Sequence, residues 1–170
     1  MEKAREALTI TREDSESVSR LVVTPHRPGH TRSFFEGFTL GGIRVDRIEP
    51  GFLSCTFRVP PRLIVNHLSL SLSLSLDKNG NLSAGAIVSL VDEAGWTAVS
   101  TDGLHTKVSV DMSIAFMGTA SVDDELEITS RVLGHKGAYS GTVVLLKNKA
   151  TGEVIAEGRH SLFGRLRSKI

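Results

Sequence analysis

Between Ser83 and Val99 the chain carries only two charges, Asp92 and Glu93, among Ala84, Gly85, Ala86, Ile87, Val88, Leu90, Val91, Ala94, Trp96 and Ala98. A helix this apolar on nearly every side belongs inside a protein. A carboxylate within it is costly unless it is paired, hydrogen-bonded or needed for chemistry. Asp92 is therefore either such a group or lies on a solvated edge beside Glu93. Ser83 is a good N-cap, and the small Ala84 and Gly85 behind it let a ligand come close to the first free amides of the helix. Such amides can hold the developing oxyanion of an acyl-transfer reaction. Asp92 lies eight residues beyond Ala84, or about 12 Å of axial rise at about 1.5 Å per residue. One reacting carbon has to sit about 3 Å from both its nucleophile and its oxyanion donors. A single helix cannot supply both. If both groups act at one site, the amide comes from one subunit and the carboxylate from another, and catalysis requires a dimer with two sites at its interface. Other chemistries have less to stand on: the chain contains no P-loop, no GxGxxG after a strand, no GxSxG elbow and no HExxH.

The elements that must position these groups follow from periodicity. Ile43, Val45 and Ile48, then Pro50-Gly51, then Leu53, Cys55, Phe57 and Val59 predict an antiparallel hairpin, ended by Pro60-Pro61. Alternating runs at Val108 to Phe116, Leu126 to Leu133, Tyr139 to Lys147 and Val154 to Phe163 predict four more strands joined by short turns. The order is strand, strand, buried helix, four strands, without βαβ alternation. The expected class is α+β, a mainly antiparallel sheet curled around one long central helix. Ser33 to Phe38 reads as a short docking turn that caps an apolar core. Leu68, Leu70, Leu72, Leu74 and Leu76 would share one face of an extra strand, but the low complexity of this Leu-Ser run points to an expanded insertion over residues 64–76. Residues 1–32 read as a flexible tail with at most a frayed helix, residues 33–164 as the domain, and residues 165–170 as a second tail.

Composition narrows the partners. The chain has 170 residues, enough for one ordinary core, and its 20 basic and 19 acidic side chains leave a formal charge of +1. The strong positive field of a nucleic-acid binder is missing, so no nucleic-acid partner is expected. A lone Cys55 and the lack of any CxxC or Cys/His cluster argue against an internal disulfide or a zinc site, and fit a reducing compartment. Charges throughout the first twenty residues lead us to expect no signal peptide, and the apolar runs predict no membrane span.

Gly80 to Ala86, Leu90-Val91-Asp92, Val108 to Ile114, Asn148 to Gly152 and Gly158-Arg159-His160 together resemble the small hotdog-fold acyl-CoA thioesterases of the phenylacetate-degradation type. The resemblance covers about Phe34 to Phe163. It implies a helix wrapped by a curled sheet, units paired edge to edge as a homodimer or a dimer of dimers, and hydrolysis of acyl-CoA to acid and CoA without metal or redox cofactor. Carried over by position, Asp92 matches the carboxylate that directs the attacking water and Ser109 the serine that helps to hold it. The family's His-Gly-Gly at the helix start is Ser83-Ala84-Gly85 here, so the oxyanion role falls to the Ala84 amide. The family asparagine upstream is Asp77, and an ionised aspartate cannot donate a hydrogen bond; Asn79 or Asn81 would substitute only if the loop is rearranged. Asn81 and Gly85 join the substrate-binding set, and Lys136, Arg159 and His160 are candidates for the CoA phosphates. His160 has a second reading as a packed strand histidine.

Two rival functions remain: an acyl-CoA-binding protein without activity, suggested by the lost His-Gly-Gly, and a hotdog hydratase, which lacks a suitably placed histidine. The tripeptide Ser168-Lys169-Ile170 resembles a peroxisomal address, with the cytosol as the alternative location.

Overall fold

The structure is a computed structural model that describes residues 9–21, 33–65, 80–103 and 107–164. Asp77, Asn79, the whole Leu-Ser run from Leu68 to Leu76 and the final tripeptide lie outside the described residues. The chain divides into two compact units, residues 1–38 and 39–170. The first contains helix α1, Arg12–Ser19, with an exposed Arg12–Glu16 pair at 2.8 Å. Helix α2, Phe34–Leu40, crosses the boundary. A docking turn was expected there. The helix forms because Ser33 and Glu36 make a reciprocal cap: the Ser33 amide donates to Glu36 Oε2 at 2.6 Å, and the Glu36 amide to Ser33 Oγ at 3.2 Å.

In the second unit, β1 (Ile43–Glu49) and β2 (Phe52–Arg58) form the expected hairpin, with Gly51 at φ 69° in its turn. Short strands β3 (Ile64–Val65) and β4 (Asn81–Leu82) pair with each other. Helix α3 spans Ala84–Ser100, followed by β5 (Val108–Phe116), β6 (Glu125–Lys136), β7 (Tyr139–Asn148) and β8 (Val154–Phe163). The six long strands form one antiparallel sheet in the order β1-β2-β6-β7-β8-β5.

Helix α3 touches every strand of this sheet except β1 closely. Five strands at about 4.8 Å spacing span roughly 19 Å, wider than a helix of about 10 Å, so the sheet must curl to meet it. Phe57, Leu90, Val91, Leu126, Ile128, Leu146, Ile155 and Leu162 fill the space between; each such side chain contributes about 1.5–3 kcal/mol on burial. Two glycines bring helix and sheet closer than side chains allow. A Cβ on Gly158 of β8 would stand 2.5 Å from Val91 Cγ1, and one on Gly95 of α3 would overlap His160 Nδ1 and stand 2.9 Å from Thr142 Oγ1.

The helix is not enclosed on every side, as its composition suggested. Ala84, Gly85, Val88 and Trp96 are exposed, and Asp92 is partly so. Among the described residues no helix is long and apolar enough to cross a membrane.

Candidate active site

The open stripe of α3 is where the candidate chemistry gathers. Asp92 points to the side of β5, where Ser109 Oγ donates to Asp92 Oδ1 at 2.6 Å. The Asp92 side chain keeps 39% of its surface, so water can reach it. From beneath, His160 of β8 brings Nε2 to 3.3 Å from the same carboxylate oxygen. Strand register explains the meeting. Ser109 pairs with Leu162 and Met112 with His160, with a bulge between Ser109 and Asp111. One extra residue turns the strand so that Ser109 and Met112, three apart, share the helix-facing side. Strict alternation would have put them on opposite faces.

His160 is 1% exposed, and neither ring nitrogen makes a hydrogen bond among the described residues; the approach to Asp92 is off the line of one. Burial pushes the imidazole pKa below its ordinary 6.5, against the opposing pull of Asp92. The ring is therefore neutral near pH 7, and Asp92 faces a dipole rather than a cation. This corrects the assignment of His160 to a CoA phosphate. The ring is sealed beneath α3, which agrees with its second reading as a packed histidine, and its neighbour is the carboxylate.

At the start of α3, Ser83 is the N-cap and its Oγ accepts the Ala86 amide at 3.2 Å. Ser83 Oγ thus serves the helix as an acceptor and keeps its own O–H to donate, while the Ala84 and Gly85 amides lack intrahelical acceptors. Both residues are exposed, which leaves room for an approaching ligand. Ala84 and Asp92 belong to one unbroken helix, so the 12 Å separation expected from the sequence stands. Asn81 sits in β4, paired with Val65 and bridged to Ser121.

Lys136 and Arg159 are not brought together. Lys136 closes the β6–β7 hairpin opposite Tyr139, which pairs with Phe163; Arg159 is four residues further along β8, about 13 Å away. Arg159 alternates with His160 and so faces away from α3, with Glu157 at 3.7 Å.

Other reactive groups lie elsewhere. Cys55 is buried in β2, and burial with Asp46 nearby raises its thiol to about 11, which rules out a thiolate nucleophile at neutral pH. Sequence reasoning missed a second constellation: His135 Nε2 lies 3.1 Å from Asp102 Oδ2 and its Nδ1 2.6 Å from Ser140 Oγ. It borders a cleft of about 470 Å³ with Arg47, Phe52 and Arg131. Ser140 is fully buried, so it cannot attack an external substrate; the trio ties the carboxyl end of α3 to the β6–β7 hairpin. Asp102 and His135 are 33 residues apart, and no local spacing announces their contact. Among the described residues no cluster of three or more His, Cys, Asp or Glu is placed to hold a metal ion.

Comparison with known proteins agrees with this architecture. The thioesterase superfamily pattern matches residues 79–155. Acyl-coenzyme A thioesterase 13 of Homo sapiens is 40% identical over 83 residues, which are 48% of this chain and 59% of that protein. The chain thus spans less than two thirds of the length of the curated relatives it matches. The crystal structure of zebrafish thioesterase superfamily member 2 superposes with a TM-score of 0.64 at 27% identity, covering 92% of this chain and all of the other. Thioesterase superfamily member 2 from Mus musculus gives a TM-score of 0.63 at 30% identity, over 75% of this chain and 87% of that one. The curled antiparallel sheet around α3 is the hotdog fold of these proteins, and the chain belongs to the thioesterase superfamily.

Proposed function

We propose that the protein is an acyl-CoA thioesterase that hydrolyses its substrate to a free acid and CoA. The observation that carries this reading is the water-accessible Asp92 carboxylate gripped by Ser109 on the open stripe of a buried helix. Asp92 takes a proton from water as the oxygen attacks the thioester carbon, and Ser109 holds the carboxylate in place. The carbonyl electrons move onto oxygen, where the Ala84 amide of a second protomer meets the charge. As the tetrahedral adduct collapses the C–S bond breaks, and the proton returns from Asp92 to the CoA sulfur. His160 packs beneath Asp92 without adding charge.

The distance along α3 supports a reaction shared between two protomers of a homodimer, and β5 is the surface we assign to their pairing. Among the described residues it is an edge strand, paired with β8 alone, and exposes Val108, Val110 and Phe116. An apolar open edge invites pairing with another chain, and a two-fold partner there gives two equivalent sites. A dimer of dimers would leave each site unchanged.

Asp92→Asn keeps the shape of the side chain and removes its basicity. Thiol release from a panel of acyl-CoA esters should fall by about 10²–10⁴-fold, with the dimer intact by sedimentation. A variant as fast as the parent eliminates the mechanism. One observation favours a second reading, a weakened acyl-CoA-binding protein: the helix start carries Ser83-Ala84-Gly85 in place of the His-Gly-Gly of the resembling family, so no imidazole stands there to polarise the carbonyl. Protein that binds CoA esters and releases no thiol would support it.

A further inference from the structure

Val88, Asp92 and Trp96 are four residues apart on α3 and lie one above the other on its open stripe. Trp96 keeps 37% of its surface there. Its ring is nevertheless fixed. The indole N–H donates to the Lys107 carbonyl at 3.1 Å, and Lys107 Nζ, itself buried, donates to the Ala138 carbonyl at 2.7 Å. Lys107 stands two residues before Ser109, so the segment that brings the serine to Asp92 also anchors the indole. The polar edge of the ring is thus tied to the wall of the site, leaving exposed surface on a residue four positions, about 6 Å of axial rise, beyond Asp92 on the same face.

We propose that Trp96 is a specificity-determining residue: it holds the acyl chain beyond the reacting carbon and makes the enzyme favour acyl groups of several carbons over acetyl. This rests on the thioesterase reading above. The reacting carbon sits about 3 Å from the water that Asp92 directs. An acetyl methyl ends a single bond of about 1.5 Å beyond that carbon and stops short of the indole. A chain of about six carbons covers the one-turn distance to Trp96. The pantetheine arm is common to every acyl-CoA and cannot discriminate among them.

The test compares kcat/KM for acetyl-CoA and hexanoyl-CoA in the parent, Trp96→Ala and Trp96→Phe. Trp96→Ala should lower the hexanoyl value by about tenfold or more while acetyl changes by less than about twofold, and Trp96→Phe should retain most of the hexanoyl preference. An equal factor on both substrates, or no change on either, overturns the proposal. So does a Trp96→Ala protein that falls into single chains with its hexanoyl-to-acetyl ratio unchanged, since the ring would then serve assembly. Trp96 is the only tryptophan in the chain, so its emission reports binding without turnover. In the Asp92→Asn variant, hexanoyl-CoA should shift the emission and CoA should not; the same response to both overturns the proposal. If the parent releases thiol from no acyl-CoA, the thioesterase reading fails separately, and the emission readout still decides whether the indole meets an acyl chain.

Discussion

His160 lies against Asp92 with both ring nitrogens buried, and burial holds its pKa below 6.5. The folded chain therefore binds a proton at this site more weakly than the unfolded chain does. Stability is complete above about pH 6.5, falls as the pH drops through that value, and levels off below the folded-state pKa. The slope from one such group does not exceed about 1.4 kcal/mol per pH unit. Urea unfolding at a series of pH values should show the decline in the parent and a flatter profile in His160→Gln, whatever the variant loses at neutral pH. Equal slopes would mean that the ring is not held neutral by its surroundings. Asp92 was legible as a candidate because a carboxylate in so apolar a run demands a reason, while its proposed role came from the family resemblance. His160 was legible as a residue but not as a neighbour of Asp92. Its contact depends on a glycine in α3 that lets the ring lie beneath the helix, as the Ser109 contact depends on a strand bulge at Val110, and neither leaves a mark on periodicity.

Among the elements, α3 and the long strands could be read from the sequence because their apolar spacing is clean and Gly or Pro marks their turns. The helix α2 was missed for a local reason: the cap between Ser33 and Glu36 outweighs the clustering of Phe34, Phe35 and Phe38 that suggested a turn. The open stripe of α3 was missed for a tertiary one. Exposure depends on which strands lie beneath the helix, and the sheet covers only the side of Ile87, Leu90, Val91, Ala94 and Ala98. Contact at that side is close enough for a single methyl to matter. Gly95→Ala would place its Cβ against His160 Nδ1 and 2.9 Å from Thr142 Oγ1. Such overpacking costs about 1–3 kcal/mol, and the strain falls on the ring that supports Asp92. Denaturant midpoints should show the loss, with reduced thiol release. The double variant Gly95→Ala with His160→Ala should be less destabilised than the sum of the two singles, because the ring that clashes is gone. Additive losses would show that the helix shifts as a body instead.

For the molecule as a whole, the decisive question is whether each site takes its amide and its carboxylate from different chains. Two inactivating changes separate the contributions. Ala84→Pro removes one backbone N–H at the first position of α3, where proline is tolerated, and Ser83 before it already has the extended conformation that proline prefers, at φ −64° and ψ 143°. Asp92→Asn removes the base and leaves every amide in place. Each homodimer should be inactive. In a mixed dimer with shared sites, one site receives both lesions and the other receives none, since the intact amide of the Asp92→Asn chain meets the intact Asp92 of the Ala84→Pro chain. Random mixing makes about half of the dimers mixed, each with one working site, so thiol release should return to about a quarter of the parental rate. Sites built within single chains would each carry one lesion, and every mixture would stay inactive. Recovery that requires unfolding and refolding the two variants together, and that fails when they are merely combined, would further show that folded dimers do not exchange subunits. The sequence argument and the geometry of α3 meet in this one measurement: eight residues of a single straight helix, about 12 Å, is a span that no thioester carbon can bridge within one chain.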